Sequence, residues 1–397
     1  MFNQLEMAPP DPILGLAEAF KKDPSTKKIN LSVGVYQNEK GVTPIFRSVK
    51  SAEEMILEQE TSKGYLPIDG AAEYARAVQA MVFGADSELP VSGRVVTAHT
   101  PGGTGGLRVA ADFLAKIGFG GTVWLSTPTW PNHPNIFRVA GLKVDSYPYF
   151  DAANNGLNFD AMLAAVEQMP QGDVILLHGS CHNPTGSDPS REQWTRLAEA
   201  VATRGLLPLI DFAYQGLGNG LEEDAFGVRT LAGRVPEAIV VSSFSKNFGL
   251  YNERTGALSL VAGSGEAADK ALSHIKTCVR VNYSNPPAHG GKIVTTILSD
   301  ARLRAEWQAE VEAMCARIRS VRRQFVAGLA AEGVQRDFSF IERQNGMFSF
   351  TGLSKEQVQR LRQEHAVYIV ETGGRINVAG INEGNLQTLC QAIAAVL

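Results

Sequence analysis

Short runs of continuously apolar residues recur through the middle of the chain, each followed by a stretch of helical periodicity. Strands are expected at Arg94–Ala98, Thr122–Ser126, Leu142–Tyr147, Val174–His178, Leu206–Asp211, Ala238–Ser243 and Ala257–Ala262. Helices are expected between them, at Leu107–Ile117, Asn135–Ala140 and Ser190–Arg204, the last closed by Gly205. A strand with no polar alternation has both faces covered, so the pattern predicts an α/β fold whose sheet is mostly parallel.

The C-terminal third reads differently. Ala301 to about Ala331 is one long amphipathic helix with Trp307, Val311, Met314 and Ile318 at helical spacing. Then come the apolar segments Phe338–Ile341 and Met347–Phe350, a helix at Lys355–His365, strands at Val367–Val370 and Arg375–Val378, and a last helix near Asn385–Val396. This is a smaller α+β unit, with the boundary near residue 315. With 397 residues, 44% hydrophobic and 20% charged, the chain has material for two domains and a large core. A formal charge of −4 argues against a nucleic-acid partner. No basic leader with an apolar core opens the chain, and no apolar run approaches the length of a membrane span. Four scattered cysteines without Cys-x-x-Cys spacing fit a reducing compartment, so a cytoplasmic protein is expected.

Several segments carry possible chemistry. Gly102-Gly103-Thr104-Gly105-Gly106 lies between a strand and a helix, where free N–H groups form an anion cradle; no Gly-Lys-Ser/Thr follows, so it is not a P-loop. Gly263-Ser264-Gly265 lacks the acidic residue about twenty positions on that a dinucleotide site needs, and reads as a surface turn. His178 and His182 are four apart but on a Gly/Pro loop, which disfavours a metal site. Lys246 lies just beyond a buried strand, where α/β sheets place ligands. Asp211 and Tyr214 end another strand, Asn183 follows a third, and Arg254 is eight residues after Lys246. An amine, a carboxylate, a phenol, an amide and a guanidinium at neighbouring strand ends suit a phosphorylated pyridine aldehyde.

The segments His178–Gly186, Leu209–Tyr214, Ser242–Gly256, Asn282–His289 and Arg375–Gly380 resemble the class I aminotransferases, in the bacterial aspartate and aromatic branch. The resemblance runs from about Asp11 to the C-terminus. It implies fold type I of the pyridoxal 5'-phosphate enzymes: a large domain with a mostly parallel seven-stranded sheet, residues 43–315, and a small α+β domain, residues 12–42 with 316–397. An N-terminal arm would occupy residues 1–11. It also implies a homodimer with active sites shared between subunits.

Residue by residue, the resemblance implies the following roles. Lys246 matches the Schiff-base lysine, Asp211 the carboxylate facing the pyridine nitrogen, and His133 the histidine behind it. Tyr214 and Asn183 match the partners of the ring hydroxyl, and Trp130 the aromatic stacked on the ring. Gly103, Thr104, Ser243 and Arg254 match the phosphate cradle, with Tyr65 reaching it from the other subunit. Arg375 matches the arginine that grips the substrate α-carboxylate, helped by Gly34 and Asn183. Arg280 matches the arginine for a side-chain carboxylate, again lent by the other subunit, with Ser284 and Asn285 nearby. Three departures stand out: Ser180 precedes Cys181 where many relatives have a second cysteine, Gly64 precedes Tyr65 where aspartate enzymes often have Asn, and the turn Glu371–Gly374 is one residue longer than usual.

The expected activity is reversible transfer of an amino group between L-aspartate and 2-oxoglutarate, with some activity on aromatic amino acids. Val35, Thr104 and Asn285 stand where aromatic specialists often carry Leu, Ser and Ser. An aromatic amino acid aminotransferase is the alternative. An inert binding relative is opposed by the intact set Lys246, Asp211, Arg254 and Arg375.

Overall fold

The computed structural model describes residues 2–7 and 14–397. Of the arm expected over residues 1–11, residues 2–7 are described, with a 3-10 turn at Phe2–Gln4; the rest lies outside the described residues. The chain divides into two compact units. One comprises Pro44–Asn183 and Ser187–Ala316; the other holds the chain up to Thr43, Pro184–Gly186 and Arg317–Leu397.

The first unit is built on a seven-stranded sheet. Its strands are β1 (Val95–Pro101), β2 (Thr122–Thr127), β3 (Lys143–Pro148), β4 (Val174–His178), β5 (Leu207–Phe212), β6 (Ala238–Ser243) and β7 (Thr255–Val261). Their spatial order is β1-β7-β6-β5-β4-β2-β3. All pairings are parallel except that β7 runs antiparallel to both β1 and β6. That reversal matters for the site: the start of β7 lies at the edge where the parallel strands end, with Gly256 opposite Ser243. All five residues of β4 are buried, as its unbroken apolar run requires.

Helix α1 (Gly102–Lys116) begins five residues earlier than the apolar periodicity predicts. The glycine run is its first turn rather than a loop before it. A Cβ at Gly106 would stand 2.6 Å from Val241 Cγ1, and one at Gly105 would stand 2.8 Å from the Pro101 ring. The missing side chains let the helix start settle directly on the sheet. Helix α2 (Asn132–Val139) likewise starts early and therefore carries His133. Helix α3 (Arg191–Arg204) opens on a capping box of Ser190 and Gln193 and closes on left-handed Gly205. Ser264 of the Gly263–Gly265 turn is the N-cap of α4 (Gly265–Asn282), its Oγ accepting from Ala267 N at 3.2 Å. Helix α5 spans Ala301–Ala331, as its helical spacing predicts.

In the second unit, Ile29–Asn30 pairs in parallel with Val367–Tyr368, and Phe348–Phe350 pairs antiparallel with Arg375–Asn377. The segment expected at Phe338–Ile341 becomes a short helix, Phe340–Arg343. Helices Lys355–His365 and Leu386–Val396 bury Leu361, Leu389 and Ile393 in its core. The turn before Arg375 is accommodated by Gly373 and Gly374, both at positive φ. Among the described residues, no helix is long and apolar enough to cross a membrane.

One core histidine gives a pH test. His99 on β1 is 1% exposed, packs on Tyr74 at 4.2 Å, and is pushed down to about 4 by burial. The unfolded chain binds this proton near pH 6.5, the folded chain only near 4. Stability is therefore complete above 6.5 and falls as pH drops toward 4, by about 1.4 kcal/mol per pH unit. Urea unfolding of His99→Phe across this range should show a shallower acid loss than the parent; an unchanged slope would contradict the assignment.

Candidate active site

The carboxyl ends of β4, β5 and β6 carry His178, Asp211 and Ser243. His178 and Asp211 are register partners on adjacent parallel strands, so both arrive at the same edge of the sheet. Asp211 is 11% exposed and His133, from α2, is fully buried. His133 Nε2 and Asp211 Oδ2 are 3.0 Å apart.

The hydrogen bonds behind this pair run in one direction. Asn183 N–H donates to His178 Nδ1 at 3.4 Å. Burial, opposed by Asp211, pushes His178 down to about 3, so this imidazole is neutral, and with Nδ1 accepting from Asn183 it carries its proton on Nε2. Nε2–H then donates to Thr129 Oγ1 at 3.2 Å. The Thr129 hydroxyl is left to donate to His133 Nδ1 at 2.7 Å, and His133 Nε2–H donates to Asp211. Burial raises the Asp211 carboxyl, but the hydrogen bond from His133 Nε2–H, with smaller electrostatic help from the neighbouring histidines and Lys246, outweighs it. The net shift is downward, and Asp211 stays ionised.

Lys246 Nζ lies 4.7 Å from the centre of the Tyr214 ring. Burial lowers its pKa, Asp211 opposes this and Arg254 adds to it, which raises the share of neutral amine. The loop carrying Lys246 is fixed from below. Phe244 and Phe248 are fully buried, Phe248 stacks on Trp307 at 4.5 Å, and Trp307 Nε1–H donates to Asn247 O at 2.7 Å. Asn183 Nδ2 donates to Tyr214 Oη at 3.4 Å. Asp224 accepts from the backbone N–H of Gly216, Gly218 and Asn219 and so shapes the loop after Tyr214; burial nevertheless pushes its carboxyl up to about 6.

An anion cradle forms beside these groups. The first turn of α1 has free N–H groups and no acidic residue. A Cβ at Gly103 would stand 3.2 Å from Ser243 Cβ, so the Ser243 side chain meets the helix start. A Cβ at Gly102 would stand 2.6 Å from Arg254 Nη2, so the guanidinium lies against the same turn. Thr104 is exposed there. Helix N–H groups, hydroxyls and a guanidinium fit a phosphate dianion. The ionised Asp211 fits a protonated pyridine nitrogen and the Lys246 amine fits an aldehyde, so the donor set fits pyridoxal phosphate. Trp130, partly buried, meets His133 edge-on at 5.2 Å.

The remaining residues predicted for the site are carried by other segments. Tyr65 is 94% exposed. Arg280 is exposed in the last turn of α4 and donates to Ser284 Oγ; Asn285 follows Ser284, which is held at positive φ. Gly34 and Arg375 belong to the second unit. There Arg375 is 3% exposed and donates from Nη2 to Ser32 O at 2.5 Å. Sequence reasoning missed Thr129 and the role of His178. The available signal was that His178, like Asp211, ends a continuously apolar strand. His182, the other histidine of the pair, instead meets Ser126 Oγ at 3.0 Å and stacks on Tyr149.

The column makes a stability prediction. Thr129→Val keeps the shape but leaves a buried donor on His178 and a buried acceptor on His133 without partners. Urea unfolding should show a loss of about 1–3 kcal/mol, with Thr129→Ser restoring most of it. A valine variant as stable as the parent would show that the threonine hydroxyl does not link the two rings.

A family model described as aminotransferase class I and II matches residues 26–393. The chain is 55% identical over 397 residues to an aspartate aminotransferase of Escherichia coli K12, covering 100% of both chains. It is 51% identical over 395 residues to an aromatic-amino-acid aminotransferase of Pseudomonas aeruginosa, covering 100% of this chain and 98% of the relative. The crystal structure of an aromatic-amino-acid aminotransferase from Burkholderia pseudomallei, covalently bound to pyridoxal phosphate, superposes with a TM-score of 0.97 at 49% identity. That match covers 100% of this chain and 99% of the other.

Proposed function

We propose that this chain, which belongs to the class I and II aminotransferases and is a pyridoxal-phosphate-dependent enzyme, is an aspartate aminotransferase. It would move the amino group reversibly between L-aspartate and 2-oxoglutarate, giving oxaloacetate and L-glutamate. The observation that carries the reading is the ionised Asp211, held by His133, in the company of the buried amine of Lys246.

The family resemblance and that arrangement together support the following roles. When bound, pyridoxal phosphate supplies a protonated ring that accepts the electron pair left at the amino acid α-carbon. Asp211 keeps the proton on the ring nitrogen, and His133 keeps Asp211 ionised and oriented. Lys246 Nζ takes the proton from the substrate α-carbon and gives it back on the other side of the transfer, as base and then acid. Tyr214 and Asn183 would serve the ring hydroxyl, and Trp130 would supply an aromatic partner for the ring. Gly103, Thr104, Ser243 and Arg254 hold the phosphate. Arg375 receives the α-carboxylate, a role that rests on its motif, and Arg280 the side-chain carboxylate; each planar fork takes a carboxylate in two hydrogen bonds.

Val35, Thr104 and Asn285 support the preference for aspartate. Gly64, where aspartate enzymes of this branch often carry Asn, favours the aromatic reading, so comparison of kcat/KM for aspartate and phenylalanine decides between them. The homodimer with shared sites is part of the proposal. It is supported by the outward placement of Tyr65 and Arg280, which leaves both available to a second copy. So is a cytoplasmic location, supported by four free, buried cysteines.

Lys246→Ala should keep the cofactor, because the cradle and Asp211 remain, yet lose turnover by more than about 10⁴-fold. Substantial transamination by the pure variant, without added amine, would refute the role of Lys246.

Arg280→Asp should lower kcat/KM for aspartate by about 10²- to 10³-fold and for phenylalanine by less than about threefold, since only aspartate presents a second carboxylate. Equal losses would mean that Arg280 holds something else. Refolding this variant together with Lys246→Ala should recover about a quarter of wild-type activity if Arg280 is lent across a two-fold dimer, because one site of each hybrid is then intact. No recovery, with hybrids confirmed by a mass tag, would contradict sharing.

A further inference from the structure

The second unit contains a buried cation for which the proposed chemistry has no use. Arg322, in the C-terminal part of α5, is 1% exposed. Its Nη1 donates to Ile341 O at 2.9 Å and to Ser349 Oγ at 2.5 Å. Its Nη2 reaches Gly346 O at 2.7 Å, Phe348 O at 2.8 Å and Asn345 O at 3.2 Å. Burying a guanidinium is costly unless its donors are satisfied. Here it meets carbonyls that converge because Gly346 bends the chain at positive φ. Both Nη atoms find acceptors on and around this turn, and the strand Phe348–Phe350 leaves it with its first carbonyl already fixed.

The side chain on that first residue is what connects the clamp to chemistry. The Phe348 ring lies under the Arg375 guanidinium, 4.4 Å from ring centre to Cζ. A Cβ at Gly34 would stand 2.7 Å from the tip of the same ring, so the ring fills the space that glycine leaves. Arg375 is also tied through Nη2 to Ser32 O. An aromatic face and a backbone carbonyl thus both bear on the guanidinium plane, and Arg322 anchors the backbone of the residue that carries the face. A cation over a ring is attracted to it, and the attraction strengthens away from water.

We infer that Arg322 is a positioning residue for substrate carboxylate recognition, acting through Phe348 to hold the Arg375 fork in the plane that receives the carboxylate. This rests on the reading of Arg375 as the α-carboxylate receptor. An Arg322 that only stabilised the unit would change its melting temperature but not the split between KM and kcat. An Arg322 that orients Arg375 changes binding that is shared by ground state and transition state, and so raises KM while leaving kcat.

The test uses the holoenzyme and four variants. Arg375→Lys should raise KM for both aspartate and phenylalanine by about a hundredfold, since both carry the α-carboxylate. Phe348→Leu keeps apolar volume but removes the ring face, and should raise KM for both substrates by about tenfold with kcat within twofold. The Kd for succinate, a dicarboxylate with no amino group, should rise in parallel by calorimetry. Arg322→Met should behave like Phe348→Leu, and Arg322→Lys should recover part of the loss because an ammonium still serves some of the carbonyls. In the Arg375→Lys background, Phe348→Leu should add less than twofold. If Arg375→Lys leaves KM unchanged, the reading of Arg375 fails and this inference with it. If Arg375→Lys acts as expected but Phe348→Leu leaves KM and the succinate Kd within twofold of the parent, or multiplies fully with Arg375→Lys, the inference alone is wrong. A folded Arg322→Met with KM and succinate Kd within twofold of the parent overturns the role of Arg322; should that variant fail to fold, Arg322→Lys takes its place, with KM raised about threefold expected and values indistinguishable from the parent overturning the inference.

Discussion

A carboxylate at the end of a buried strand has to stay charged where burial favours the neutral acid, and the rest of this active site is arranged around that requirement. Asp211 meets it with one oriented donor, His133 Nε2–H at 3.0 Å. That donor points correctly because Thr129 gives its proton to His133 Nδ1, and Thr129 does so because neutral His178 occupies its oxygen. The order of donors is fixed at the far end by a backbone N–H, that of Asn183, which cannot reverse. A group that held only a favourable charge could not do this. It takes a chain of hydrogen bonds in which every atom has one available role.

The sheet supplies the alignment. Parallel strands of matched register bring His178 and Asp211 to one edge, and the antiparallel β7 returns Arg254 to the same edge after the loop that carries Lys246. Lys246 thus sits between a carboxylate that raises its pKa and a guanidinium that lowers it, with burial deciding the direction. The cradle depends on glycine for a different reason. Side chains at Gly102 and Gly106 would collide with Arg254 and Val241, so the helix start could not approach both the sheet and the guanidinium.

Much of this was legible in the sequence. The apolar runs gave the strands because a strand covered on both faces leaves a continuous signature, and Val174–His178 and Ala238–Ser243 match to the residue. Lys246, Asp211 and Asn183 were legible as strand-end polar residues, and His133 and Trp130 through the family motif. The start of α1 was not, because glycine has low helical propensity and here is chosen for close packing rather than for helix formation. Thr129 and His178 were not legible as a relay because their partnership depends on register between strands 49 residues apart in sequence. Arg322 was invisible for the same kind of reason: in a helix it reads as a solvated charge, and only the folded turn at Gly346 shows carbonyls gathered around it.

The central claim is that Asp211 remains ionised because a relay of hydrogen bonds outweighs its burial. Infrared difference spectra of the parent against Asp211→Asn, recorded from pH 7 down to pH 4, observe that carboxyl directly. A carboxylate band that persists through the whole range is the predicted result. A protonated carboxyl band growing in within this range, the direction in which burial alone acts, would contradict it.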